Sequence, residues 1–180
     1  MAAFAKIAEA GLRRVREFAR REDGGPASEF AITAPIFIAL ILATAQVAVI
    51  YLANAYLETA AEDAARMVMT NQTTSMTASQ FQTALCQNVT ALFTCSNIMI
   101  SLSPATSTTS ISTTAPTFKA NGTLANSLPY TQPTQGQIGV LQVLYQWPVI
   151  GAPLGFKFGN LGNGSYLMMS TQVFIVETKI

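Results

Sequence analysis

From Phe30 to Leu57 the chain carries no Asp, Glu, Lys or Arg, and FAITAPIFIALILATAQVAVIYLANA is apolar almost throughout. About 20 apolar residues in a helix cross a hydrocarbon core about 30 Å thick, so the run predicts a transmembrane helix. A cleaved secretory signal is the competing explanation, with an apolar region of about 7–15 residues ending at an A-x-A site. Ala53-Asn54-Ala55 fits A-x-A, but the run is too long for that class. Charge sets the orientation. Six of the ten Lys and Arg residues (Lys6, Arg13, Arg14, Arg16, Arg20, Arg21) precede Gly24. Basic residues beside a span stay cytoplasmic, which predicts an inside N-terminus and an outside, periplasmic C-terminal region.

The helical pattern continues beyond the span. Ala53, Tyr56, Leu57, Ala60, Ala61, Ala64, Met67 and Val68 recur at i, i+3, i+4, i+7 spacing, with Asn54, Glu58, Thr59, Glu62 and Arg66 on the other side. Glu62 and Arg66 have the favoured i, i+4 order for a weak ion pair, about 0.2–0.5 kcal/mol. A helix from Pro26 to about Thr70 is on the order of 65 Å long. Its small-residue stripe suits packing against another helix and equally against the chain's own outer domain. Pro35 removes one hydrogen bond, to the Ala31 carbonyl, which predicts a local kink that hydroxyls such as Thr33 help to satisfy.

At the mouth of the span stands REDGGPASEF, residues 21 to 30. A basic leader, a glycine, four residues, then Glu29 and Phe30 directly before the apolar helix resemble the prepilin-type (class III) signal. EFAITAPIFIALIL followed by a small-residue helix ending in AAEDAAR is similar to the TadE-like family of minor pilins and pseudopilins from tight-adherence (Tad) pilus systems, over about residues 20 to 70. The resemblance implies cleavage between Gly24 and Gly25 by a prepilin peptidase. Glu29 becomes the fifth mature residue and, in assembled pilins of this kind, neutralises the N-terminal amine of a neighbouring subunit. Pro26 departs from the small or hydroxylated residues usual at the second mature position. Implied partners are other pilin subunits, an inner-membrane assembly platform and membrane lipid. The charge physics is independent of the family: an intramembrane carboxylate costs several kcal/mol and therefore seeks a partner. A simple helix-start carboxylate, favoured by about 0.3–1 kcal/mol through the helix dipole, is the alternative role.

Beyond Arg66 no charged residue appears from Met67 to Phe118, a stretch rich in Thr, Ser, Asn and Gln. Thr77 with Gln80 forms a candidate capping box, and Phe81, Leu85, Val89, Leu92 and Phe93 repeat at helical spacing, predicting a short amphipathic helix over 77–94. Cys86 and Cys95 are the only cysteines. In an oxidising periplasm one disulfide is the economical reading. A continuous helix would hold them about 13 Å apart along its axis, too far for a bridge, so the helix is expected to end near Phe93 and turn back. SPATSTTSISTTAPT, residues 103–117, reads as a hydroxyl-rich surface loop or an edge strand. Residues 139–150 and 165–180 read as strands, joined by the glycine-rich GAPLGFKFGNLGNGS. Phe156, Phe158 and Leu161 on that connection are candidates for partner contact or core. Four N-x-S/T sequons, at Asn71, Asn88, Asn121 and Asn163, are close to chance in so Thr-rich a chain.

Function classes narrow by composition. The 180 residues suit one folded unit plus an appendage, and 11% charged residues is far below the soluble average of about 25%. Only Arg66, Lys119, Lys157 and Lys179 are basic beyond the leader, so no nucleic-acid face is built. There is no histidine and no CxxC, which argues against a metal centre, a cofactor or an acid–base enzyme. The expected architecture is α+β: a basic cytoplasmic leader (1–24), a transmembrane and stalk helix (25–70), and a globular domain (71–180) with a short helix and a small antiparallel sheet. The function expected is a non-enzymatic minor pilin or pseudopilin. The alternative is an uncleaved, single-pass anchored periplasmic binding module, which gives no reason for a carboxylate at Glu29.

Overall fold

A computed structural model describes residues 25–87, 89–149, 155 and 157–178. The leader over 1–24 lies outside the described residues, and with it Gly24, as do Asn88 and Phe156. Contacts divide the chain into two units, Met1–Leu42 and Ala43–Ile180, and the division falls inside the first helix. That helix, α1, spans Gly25–Met69, within a residue of the sequence expectation at each end. It is long and apolar enough to cross a membrane.

In the first unit the described residues are the opening turns of α1, and their large side chains are bare: Phe30, Ile32, Ile36, Phe37, Ile38 and Leu40 are all exposed. Pro35 sits within the helix. The Thr33 hydroxyl donates to the Glu29 carbonyl (3.0 Å) and reaches the Phe30 carbonyl (3.4 Å). It therefore tightens the turn before the proline rather than serving the Ala31 carbonyl that the proline leaves without its donor.

In the second unit α1 changes character. Ile50, Ala53, Leu57, Ala60, Ala61, Ala64 and Val68 are buried, and they belong to the same hydrophobic core as Phe81, Leu85, Leu141 and Val143. The small-residue stripe is thus spent on the chain's own domain. Glu62 and Arg66 stay on the exposed side, and among the described residues no ion pair is formed. After α1 the chain turns at Asn71, whose φ of 59° is a left-handed conformation that asparagine tolerates well.

The sheet is an antiparallel meander of β1 (Ile98–Ala105), β2 (Ile138–Trp147) and β3 (Tyr166–Ile175), in that order. Register places Ile98, Ile100 and Leu102 beside Tyr145, Val143 and Leu141, with Met168 beyond Tyr145. Side chains alternate across a strand, so this set forms one face, the one that closes over the α1 stripe. Val140, Gln142 and Leu144 point to the other face and are buried as well. The connection between β1 and β2 lies over them: Gln142 Nε2 donates to the Thr114 carbonyl (3.3 Å) and Gln146 Nε2 to the Gly122 carbonyl (2.6 Å). The sequence marks β1 only weakly. Its alternation, IMISL, is short and runs into the hydroxyl-rich segment, which hides where the strand ends.

The second helix, α2, covers Ala78–Cys86 only, with the Thr77–Gln80 capping box in place. It ends seven residues before Phe93, earlier than its periodicity implies. Val89 N–H bonds the Cys86 carbonyl, and Phe93 N–H bonds the Val89 carbonyl, so the chain reverses through turns. Val89 and Phe93 are still buried, because turns of nearly helical pitch return the same apolar side chains to the core.

Candidate functional site

Two places carry the residues that the sequence marks. The first is the opening of α1. Gly25 is the first helical residue and has open space around its Cα. Ser28 Oγ donates to the Gly25 carbonyl at 2.8 Å, a local bond that competes with water at the helix start. Glu29 is four residues further on, on the same side of the helix as Gly25 and one turn away. Its carboxylate has no hydrogen-bond or ion-pair partner among the described residues. Phe30 beside it is 70% exposed.

A helix with this surface cannot be at rest in water. Each large apolar side chain left exposed forgoes roughly 1.5–3 kcal/mol of burial, and the exposed set runs from Phe30 through Leu42 without a charge. Lipid or other apolar helices are the environments that remove this cost. In either, the titratable group that borders the stretch among the described residues is Glu29.

The second place is the return after α2, where Cys86 and Cys95 are joined by a disulfide with Cα atoms 5.7 Å apart. Gln82 Nε2 spans the closed loop, donating to the Cys95 carbonyl at 2.9 Å and to the Ile98 carbonyl. Phe93 packs edge-on to Tyr145 (4.8 Å) and Trp147 (6.0 Å). The loop is therefore fastened to β2 by aromatic packing as well as by the covalent bond. Phe158 and Leu161, weighed for partner contact, are half-buried. A depression lined by Ser96, Asn97, Met99, Gln146 and Ser165 offers amides and hydroxyls and no titratable group, so it supplies no acid or base.

A helix that is long and apolar enough to span a membrane, continuous with a helix–sheet core closed by a disulfide, defines the class: an α+β module carried on a single apolar helix. Residues 26–66 match the family described as TadE-like protein. This is the family that the sequence resembles, and the match falls on the same segment, taking in Glu29 and Phe30 and less than a quarter of the chain. No curated protein and no solved structure matches the chain.

Proposed function

We propose that this chain is a single-pass inner-membrane subunit of a Tad-type pilus system, a minor pilin or pseudopilin with a structural rather than catalytic role. The observation that carries the reading is the coincidence of the TadE-like match with the bare apolar helix that holds the unpartnered Glu29. In this reading residues 1–24 are a cytoplasmic leader and a prepilin peptidase cuts between Gly24 and Gly25. Residues 25–70 form the membrane and stalk helix, and residues 71–180 complete the outer domain in the periplasm. Cleavage would create an α-amino group on Gly25, one helical turn from the Glu29 carboxylate. A compensating positive charge makes a buried carboxylate tolerable. On the family's pattern the amine belongs to a neighbouring subunit as helices leave the bilayer for the growing stack, with the assembly platform and lipid as the other partners. Phe30 then contributes apolar contact beside the charge pair.

The test is N-terminal and intact-mass analysis of protein from the native host, with and without the candidate peptidase. A peptidase-dependent chain starting at Gly25 supports the reading. Retention of residues 1–24 supports the anchored binding module instead. Glu29→Ala is expected to leave insertion and orientation intact while reducing recovery in sheared pili at least several-fold. Undiminished incorporation would remove the docking role.

A further inference from the structure

SPATSTTSISTTAPT, residues 103–117, runs from the end of β1 into the connection to β2, and neither the core nor the apolar helix explains its composition. Residues 106–110 and 112–115 are all exposed. A connection usually draws its turns and solubility from Gly, Asn, Asp and charged residues, and residues 103–117 contain none of these. Hydroxyls take over both tasks. A 3-10 turn at Thr108–Ser110 is closed by a capping box in which Ser107 and Ser110 bond reciprocally, and Thr109 Oγ1 lies 2.9 Å from Ser107 Oγ. Those three side chains are occupied. Thr106, Thr108, Ser112, Thr113, Thr114 and Thr117 are exposed, and their hydroxyls have no partner among the described residues.

Position adds to composition. The segment is tied down through the Thr114 carbonyl to Gln142, and Gln142 belongs to the sheet face opposite the one that closes over the α1 stripe. Occupation of the core face by α1 therefore leaves the hydroxyls accessible. Pro104 precedes them and Pro116 stands between Thr114 and Thr117, and a proline disfavours helix at the residue before it. Uncharged, exposed, Ser/Thr-rich chain with proline is the composition of O-glycosylated segments.

We propose that residues 106–117 are an O-glycosylation acceptor, modified on the six unpartnered hydroxyls. The donor is a sugar activated as its diphosphate ester. The hydroxyl oxygen bonds to the anomeric carbon, the bond from that carbon to the phosphate oxygen breaks, the diphosphate leaves with the bonding pair, and the hydroxyl proton passes to a base on the transferring enzyme. This inference does not rest on the pilus reading, since a chain that keeps residues 1–24 can still be modified here.

No Lys or Arg occurs between Arg66 and Lys119, so trypsin releases the segment within the single peptide Met67–Lys119. Mass spectrometry of that peptide from native-host protein, with electron-based fragmentation, is the test. The expected result is a ladder of sugar-sized increments placed on residues 106–117. The increments should be lost when the six residues are changed to alanine and kept when the five threonines are changed to serine. An unmodified peptide overturns the proposal, as do phosphate-sized increments or sugar confined to Asn71 or Asn88. The wild-type map decides the matter even if the alanine variant fails to accumulate.

Discussion

The two halves of α1 both carry an apolar face and live in different surroundings. Phe30 and Phe37 are 70% and 65% exposed, whereas Leu57 and Ala61 are 1% and 0% exposed. Large side chains dominate the first half. Alanine dominates the buried stripe of the second, at 53, 60, 61, 64 and 65. Small residues let a sheet approach the helix axis closely, while bulky ones fill an outer surface that something other than this domain must cover. One continuous helix therefore does two jobs. Charge marks the exposed face of the second half, at Glu58, Glu62, Asp63 and Arg66, and on the apolar face residue size separates them.

The comparison breaks first at leucine. Leu57→Ala leaves a cavity between α1 and the sheet and is expected to destabilise the helix–sheet domain by about 2–5 kcal/mol. Leu40→Ala, at a position 48% exposed, should leave that stability unchanged within about 0.5 kcal/mol. Denaturant unfolding of detergent-solubilised protein, followed through Trp147, measures both. Equal losses would mean that the two halves share one core.

Next is the covalent closure. Loss of the Cys86–Cys95 bridge, by reduction or by Cys86→Ala with Cys95→Ala, is expected to cost about 2–3 kcal/mol, since a short loop is released in the unfolded chain. The same unfolding measurement in reducing buffer checks it. A smaller loss follows at the α2 start: Thr77→Ala removes the side chain that accepts from Gln80 N–H, a cap worth about 1 kcal/mol. Neither change should alter partitioning of residues 30–42 into lipid vesicles. An effect there would show that the bare half of α1 depends on the helix–sheet domain.

Much of this was legible from residues, for identifiable reasons. The long helix was readable because absence of charge over such a length has few other solutions, and the α2 start because a capping box is local chemistry. The end of α2 is not legible in the same way. Val89, Leu92 and Phe93 keep helical spacing while the backbone between them turns, and periodicity reports which side chains reach the core rather than how the chain carries them there. Which surface the alanine stripe meets was open, because small residues suit a helix and a sheet equally. β1 is hidden because its polar alternates, Ser101 and Ser103, blend into the Ser/Thr run that follows. For the site, Glu29 and Phe30 stood out by register against the apolar run, and the two cysteines by their being the only pair.

The smallest expected effect tests whether the turn after α1 is as firmly held as the stripe before it. Thr73 is buried and exchanges hydrogen bonds with Gln132, its hydroxyl donating to Gln132 Oε1 at 3.2 Å while Gln132 Nε2 donates to the Thr73 carbonyl at 3.1 Å. The same Nε2 donates to the Tyr130 hydroxyl at 2.8 Å, and the Tyr130 ring lies 6.0 Å from that of Phe81. Burial pushes the Tyr130 phenol above its ordinary value, partly offset by the Gln132 hydrogen bond, which favours the phenolate. A folded pKa above the unfolded one means that the folded state holds the proton more tightly. Its contribution to stability is thus complete below the unfolded value of about 10 and disappears as pH rises through the folded value. Stability above about pH 10 should therefore fall less steeply in Tyr130→Phe than in the wild type, in denaturant titrations at fixed ionic strength. Identical slopes would mean that this phenol reaches water freely and that the turn after α1 is looser than the helix stripe that leads into it.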